Sequence, residues 1–531
     1  MGHKSLRDAL AALEAKSLLH RITKSLSKDS EVMPLVRWQY RGLPEEQRRA
    51  FLFTNITDGR GRSYEADLAV ASIGASRSVY ACALDCPVEE VRDLWIRAQA
   101  TPIAPVLVAG KGTPVKEEIH RGEELARLGL DEFPIPLSTP GYDPAPFVTS
   151  GCWVTKDPET GIRNVGNYRG MVKARDRIGL QMFPSQHDGI HWTKWKARGH
   201  TSMEAAVVIG PPPAVNMTAV AKLPYGVDEY TIAGALMGGP IELVKCETVD
   251  LEVPAAAEIV LEGRVSTEVL EPEAPFGEFS GYMGERADHP ILEITCITHR
   301  RRPIWHAFIS QFPPSESTKV RSMANEANYY NLLRNHCSIP SVLDVTFHEP
   351  TSAQNLIVIR MKKQMKAQPA QAMMAAASLD PTYGKIIITV DEDIDPYDLD
   401  SVMWACCTRM QPHVDMHIIM NRAAILDPSM APPEASAQEQ FYPEPRGGSA
   451  VLIDATRKWD YPPTSLPKEE FMRQARRLWE ELGLPALTPR SPWFGYPLGP
   501  WPTQWEEEAD LAVKGRYYET GEKLARQRKP T

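Results

Sequence analysis

The chain has 531 residues, of which 43% are hydrophobic and 24% charged, and 59 Lys plus Arg against 68 Asp plus Glu give a formal net charge of −9. At roughly 100 to 200 residues per domain this length predicts about three units, and the acidic balance argues against nucleic acid or an anionic membrane surface as partner. No stretch approaches the ~18 apolar residues of a membrane-crossing helix.

The opening stretch MGHKSLRDALAALEAKSLLHRI lacks the apolar core and small-residue cleavage site of a secretory signal. It reads instead as an amphipathic helix capped by Ser5 with Asp8 three residues on, in a cytoplasmic protein. Residues 1–118 alternate helical patterns (SLRDALAALEAK, VEEVRDLWIRAQ) with short apolar strands (RAFLFTNI, PVLVA), predicting an N-terminal α/β domain. From 119 to 312 the texture turns to strands such as FVTSGCWVT, EIVLEGRVSTEVLE and ILEITCITHRR between Gly and Pro turns, predicting a β-rich barrel or sandwich. Segments such as NLIVIRMKK, KIIITVDED and LDSVMWACCTRM predict a second α/β unit over 313–430. A Pro- and Trp-rich extension, 431–531, carries one clear helical pattern, LPKEEFMRQARRLWEELGL, and is expected to pack in an oligomer. The fold class is therefore α/β, in a multidomain α+β arrangement.

Several motifs fail on inspection. DEDIDPYDLD (391–400) starts like a calcium loop, but Pro396 stands at position 6 and Val402 at position 12, where glycine and a bidentate glutamate belong. GRGRS and AGKGT complete no phosphate-loop signature, and HEP at 348–350 does not continue to HExxH. The eight cysteines form no CxxC and read as reduced, mostly buried thiols.

Two stretches carry chemistry. In the first, 161–192, Asn164 and His187 each offer a metal ligand, Arg169 is a permanently charged fork for a carboxylate, and the amides around Gly166 suit a phosphate. A structural ion pair is the simpler reading of that arginine. In the second, EAPFGE (273–278), Glu273 and Glu278 flank a Pro-Phe-Gly turn that Pro275 stiffens and Gly277 sharpens. A surface hairpin explains it blandly. An acid/base pair, with proton affinities pushed apart by proximity and burial, explains it chemically.

NVGNYR (164–169), SQHDG (185–189), ELVKCETVDLEVPAAAEIVLEG (242–263), EAPFGEFSGY (273–282) and PPSE (313–316) occur in the order found in the UbiD family of reversible decarboxylases, which the chain resembles from about 100 to 425. The resemblance implies a central, flavin-reductase-like split β-barrel over 119–312 binding prenylated FMN, supplied by a flavin prenyltransferase. Its phosphate would be held through Mn²⁺ or Mg²⁺ with K⁺ nearby. Carried over by motif, the metal ligands are Asn164, His187 and Glu229; the cofactor contacts are Asn164, Tyr168, Arg169, Met182, Gln186 and His187, with Met182 the weaker match. The catalytic network is Arg169, Glu273 and Glu278, with Glu278 as proton donor and Glu273 orienting it through Arg169.

The family implies a carboxy-lyase acting on an aromatic or α,β-unsaturated acid in aromatic compound metabolism, as a homo-oligomer, either a dimer or a hexameric trimer of dimers. The subunit size also resembles the phthaloyl-CoA type, and the basic run Lys194, Lys196, Arg198 offers a place for CoA phosphates, although a solvated loop is the simpler reading of it. Two rival classes are a metal-dependent hydrolase built on Asn164, His187 and Glu229, and a flavin-binding protein without catalysis. The presence of both acids and the arginine favours decarboxylation over either.

Overall fold

The computed structural model describes residues 2–423, 426–429 and 448–529. Its first helix, Leu6–Ala15, begins as the sequence predicts, with Ser5 accepting from the Asp8 amide at 3.2 Å and Leu6, Ala9, Leu10 and Leu13 buried on one face. That face closes over a four-stranded sheet ordered Leu19–Ile22, Ala50–Phe53, Asp67–Val70 and Ile304–Ala307. The last strand comes from far along the chain and pairs in parallel with Asp67–Val70. A linear boundary at 312 therefore assigns to the central unit a strand that completes the N-terminal sheet. Glu118–His120, at the start of the central segment, pairs with Ala287–His299.

The central sheet has nine strands. In hydrogen-bonded order, eight of them run Arg163–Asn167, Cys152–Lys156, Ser202–Ile209, Ile259–Glu273, Ala287–His299, Arg177–Gly179, Gly170–Ala174 and Phe147–Val148, every pairing antiparallel. Arg163–Asn167 stands at one edge and Gly170–Ala174 near the other, yet only Tyr168 and Arg169 separate them in the chain. Two residues reach ~10 Å at most. The sheet must therefore curl until its edges nearly meet, giving a half-barrel split along a seam that Tyr168 and Arg169 bridge. Trp153, Met203, Val207, Leu261 and Leu292, all fully buried, pack its interior, and alternate residues of the same strands face helices Pro213–Val220 and Glu229–Met237.

The C-terminal unit is a five-stranded sheet ordered Val342–Phe347, Leu356–Met361, Ile386–Asp391, Gly448–Ala455 and Met416–Arg422. Gly448–Ala455 lies inside the sheet, parallel to Ile386–Asp391, so this unit extends past residue 430 and the extension begins after Ala455. SAVLIDA has the apolar pattern of a strand, but the Pro-rich residues before it place it in the tail when only the sequence is read. The extension holds three helices, Glu469–Glu481, Thr503–Val513 and Tyr517–Ala525, none with a buried residue.

Candidate active site

The site is assembled on the two sides of the seam. On the strand Arg163–Asn167, Arg163 points away from the cleft to ion-pair with Asp228 at 2.6 Å and Glu252 at 2.8 Å. Asp228 also caps the helix Glu229–Met237 by accepting from the Tyr230 amide at 3.0 Å. This clamp sets Glu229 against the neighbouring strand, where its Oε2 accepts from the Val165 amide at 2.7 Å. Across from it, Gln186 stands before the helix His187–Ala197 and its Oε1 accepts from the Phe183 amide at 2.9 Å, fixing the turn that presents His187. His187 Nδ1 and Asn164 Oδ1 meet at 3.2 Å.

Asn164, His187 and Glu229 thus line one end of a cleft of about 280 Å³. Their state fits a cation. Glu229 is 4% exposed and burial pushes its carboxyl up to about 8. A buried carboxylate, an amide oxygen and an imidazole suit a hard divalent ion bridging to phosphate. Burial, and then the charge of Lys222, lower the proton affinity of His187 and favour its ligating, neutral form. Tyr168 and Gln186 line the same cleft. Gly166 is glycine for a local reason: a Cβ there would collide with the Tyr168 ring.

At the middle of the cleft Arg169 forks onto Glu273, Nε to Oε1 at 3.1 Å and Nη2 to Oε2 at 2.7 Å, and Nη1 lies against Glu278 Oε1 without hydrogen-bond alignment. Glu273 is fully buried and Glu278 is 7% exposed and lines the cleft. The guanidinium also sits over the Phe276 ring at 5.2 Å. The structure corrects the reading of EAPFGE as a turn sharpened by Gly277. Phe276 and Gly277 form a short strand paired with Met283–Gly284, and the left-handed residue is Ala274, at φ 82°. Gly277 is small because a Cβ would strike Gln311 and Thr139. Neither glutamate is on a water-facing hairpin.

Met182 does not line the cleft; it is 8% exposed and packs in the half-barrel core. Three site residues escaped the motif reading. Lys222 and Arg321 line the cleft, Lys222 paired with Asp380 at 3.2 Å and Arg321 stacked on Phe279 at 4.2 Å. Asp188 is fully buried beside Tyr168, and burial pushes its carboxyl up to about 8. Only Asp188 carried a sequence signal, its place in SQHDG. The far wall comes from the C-terminal unit, through Gln354, Thr382 and Tyr383. The basic run is spent elsewhere: Lys194 pairs with Asp157 at 2.7 Å and Glu159 at 2.9 Å, Arg198 approaches Glu159 at 3.9 Å, and Lys196 lies over Trp192 at 5.0 Å.

The curled antiparallel half-barrel holds a buried arginine bridging two glutamates and facing an amide–imidazole–carboxylate cluster, and comparison with known proteins shows the family to which this chain belongs. The family model for the 3-octaprenyl-4-hydroxybenzoate carboxy-lyase Rift-related domain matches residues 106–313, and that for the C-terminal domain of the same carboxy-lyase matches 319–455. The chain belongs to the UbiD family. A protein of Archaeoglobus fulgidus without an assigned role is 30% identical over 502 residues, 91% of this chain and 99% of its own. An evolved dimeric form of the UbiD-class enzyme HmfF from Pelotomaculum thermopropionicum, solved in complex with prFMN, superposes with a TM-score of 0.74 at 32% identity, covering 88% of this chain and 97% of that one. The vanillic acid decarboxylase of Sedimentibacter hydroxybenzoicus in its closed form superposes with a TM-score of 0.75 at 27% identity, covering 91% and 99%. No helix among the described residues is long and apolar enough to cross a membrane.

Proposed function

We propose that the protein removes CO₂ reversibly from an aromatic carboxylic acid, with prenylated FMN as cofactor and Glu278 as the proton donor. The observation that carries this reading is the buried Arg169–Glu273 fork with Glu278 on its open side, at the centre of a cleft whose end is the Asn164, His187, Glu229 cluster. When bound, prenylated FMN supplies the electron sink that protein side chains lack. Asn164, His187 and Glu229 would hold Mn²⁺ or Mg²⁺ at its phosphate, with K⁺ beside it, and Tyr168, Arg169 and Gln186 would contact the flavin. Lys222 adds positive charge at that phosphate end.

Glu278 then delivers a proton to the substrate carbon from which CO₂ has left, and takes one back in the reverse direction. Arg169, held by Glu273 at two points, keeps Glu278 aimed into the cleft. An aromatic substrate is supported by the cleft's own rings, Phe183, Phe276, Phe279 and Tyr383. With Lys194, Lys196 and Arg198 engaged by other partners, no observation favours a CoA thioester such as phthaloyl-CoA. The exposed apolar residues of the extension support assembly into a homo-oligomer.

The test is protein made anaerobically with a flavin prenyltransferase, weighed intact by native mass spectrometry and assayed for CO₂ release from a panel of aromatic acids. The expected result is a bound mass of prenylated FMN plus one divalent ion, and CO₂ from at least one acid. A loaded protein that releases CO₂ from none of them would refute the substrate class; a folded protein that takes up metal but no flavin would refute the cofactor.

A further inference from the structure

We propose that His120, Glu132 and His299 form a second metal site, away from the cleft, that binds a divalent ion of the zinc type through two imidazoles and one carboxylate. The pairing register brings the histidines together. Ile297 lies opposite His120 across the two strands, so His299, two residues on, is the diagonal neighbour on the same face. Their rings pack edge to face with centroids 4.8 Å apart. Glu132 ends the tight turn Gly129–Glu132, which is pinned to the half-barrel where the Leu130 amide donates to Arg175 O at 2.8 Å. Gly129 holds that turn at φ 52°, so close to the Arg175 carbonyl that a Cβ would not fit.

One ligand atom from each residue lies within 4.8 Å of the other two, the only such group of His, Cys, Asp and Glu side chains among the described residues. A tetrahedral ion with bonds of about 2.0–2.1 Å spaces its ligands about 3.3 Å apart. His120 Nδ1 and Glu132 Oε2 are already 3.2 Å apart, and His299 Nε2 is 3.8 Å from Glu132 Oε1.

These atoms are not explained by pairing among themselves. His120 Nδ1, Glu132 Oε2 and His299 Nε2 are all buried and none makes an aligned hydrogen bond, which leaves three buried ligand atoms for a shared ion to satisfy. The outer nitrogen of His299 is engaged as a ligating histidine requires, and that of His120 has a carboxylate nearby. His299 Nδ1 meets Arg300 O at 2.8 Å, which places its proton there and leaves the Nε2 lone pair free, and His120 Nε2 faces Glu124 Oε1 at 3.8 Å. Both histidines are buried, at 5% and 3% exposure, with His299 packed against Phe133, while Glu132 borders a cavity of about 600 Å³ that gives an ion its route in and leaves a fourth position open. Two nitrogens and one oxygen select zinc, cobalt or nickel over the hard ions suited to the cleft.

The test uses full-length protein stripped with a chelator and titrated with Co²⁺, followed by its visible absorption, then back-titrated with Zn²⁺. One equivalent of Co²⁺ is expected to give the band of a four- or five-coordinate ion, displaced by one equivalent of Zn²⁺. The band should persist in Glu229→Gln, which disables the cleft's cluster, and should disappear in His299→Gln and Glu132→Gln, with Co²⁺ affinity at least 100-fold weaker. Those two variants should retain decarboxylation. No band in the wild type, a band lost in Glu229→Gln, or a band surviving both site variants would each overturn the proposal. If the site variants do not fold, the wild-type and Glu229→Gln titrations decide it.

Discussion

Glu278 is the residue on which the proposed chemistry turns, and its replacement separates binding from turnover. Glu278→Gln keeps the shape and a polar tip but cannot give up a proton, so turnover is expected to fall by on the order of 10² to 10⁴, with prenylated FMN retained by mass and absorbance. Full turnover in that variant would remove Glu278 from its role. A second residue governs behaviour in acid. His306 is fully buried, its Nε2 2.9 Å from Ser72 Oγ, and burial holds its imidazole down to about 3. The unfolded chain takes that proton near the ordinary value of about 6.5, so stability falls by about 1.4 kcal/mol per pH unit as pH drops from there toward 3. Urea midpoints measured over that range should show the slope, and His306→Gln should flatten it; equal slopes would assign the acid sensitivity to other groups. At this scale the sequence was most informative where residues cluster along the chain. Arg169, Glu273 and Glu278 stand in ordered motifs and are brought together by the seam. Lys222, Arg321 and Tyr383 reach the cleft from separate elements, and nothing in their flanking residues marks the convergence.

Among the elements, the extension behaves least like a free-standing part. On the helix Glu469–Glu481 and the turn after it, Phe471, Leu478 and Leu482 fall on one stripe, with exposures of 38%, 48% and 72%. A paired change, Leu478→Asp with Leu482→Asp, is expected to lower the mass measured by light scattering while leaving the folded core intact by circular dichroism. An unchanged mass would mean that this stripe holds no subunit contact. Elements whose burial is local were legible: Ser5 caps its helix, and the apolar runs of the half-barrel strands are buried on both faces. Strands completed by distant partners were not. Ile304–Ala307 and Gly448–Ala455 are ordinary apolar runs, and pairing partners from far along the chain decide to which sheet each belongs.

For the whole molecule, the cleft is closed from one side by a unit that the chain reaches only after the half-barrel is complete. Lys222 to Asp380, at 3.2 Å, is an ion pair that ties the cleft wall to that unit. Asp380→Asn is expected to increase the radius of gyration in small-angle scattering and to raise KM for substrate more than it lowers kcat. Identical scattering and KM would show that packing alone sets the cleft. The β-rich texture of the central segment could be read from the sequence, but not the curl of its sheet, because strand order is a property of pairing and not of any one strand's sequence. That curl also limits how this molecule can change over generations. Tyr168 and Arg169 are the whole link between opposite edges of the seam, with hydrogen-bonded strands on either side of them. One residue inserted or lost there leaves no slack to absorb it, and every side chain downstream on the strand would exchange its inward face for its outward one. Descendants of this sequence can lengthen the extension or vary the outer turns, but chain length at the seam is inherited unchanged or the site is lost.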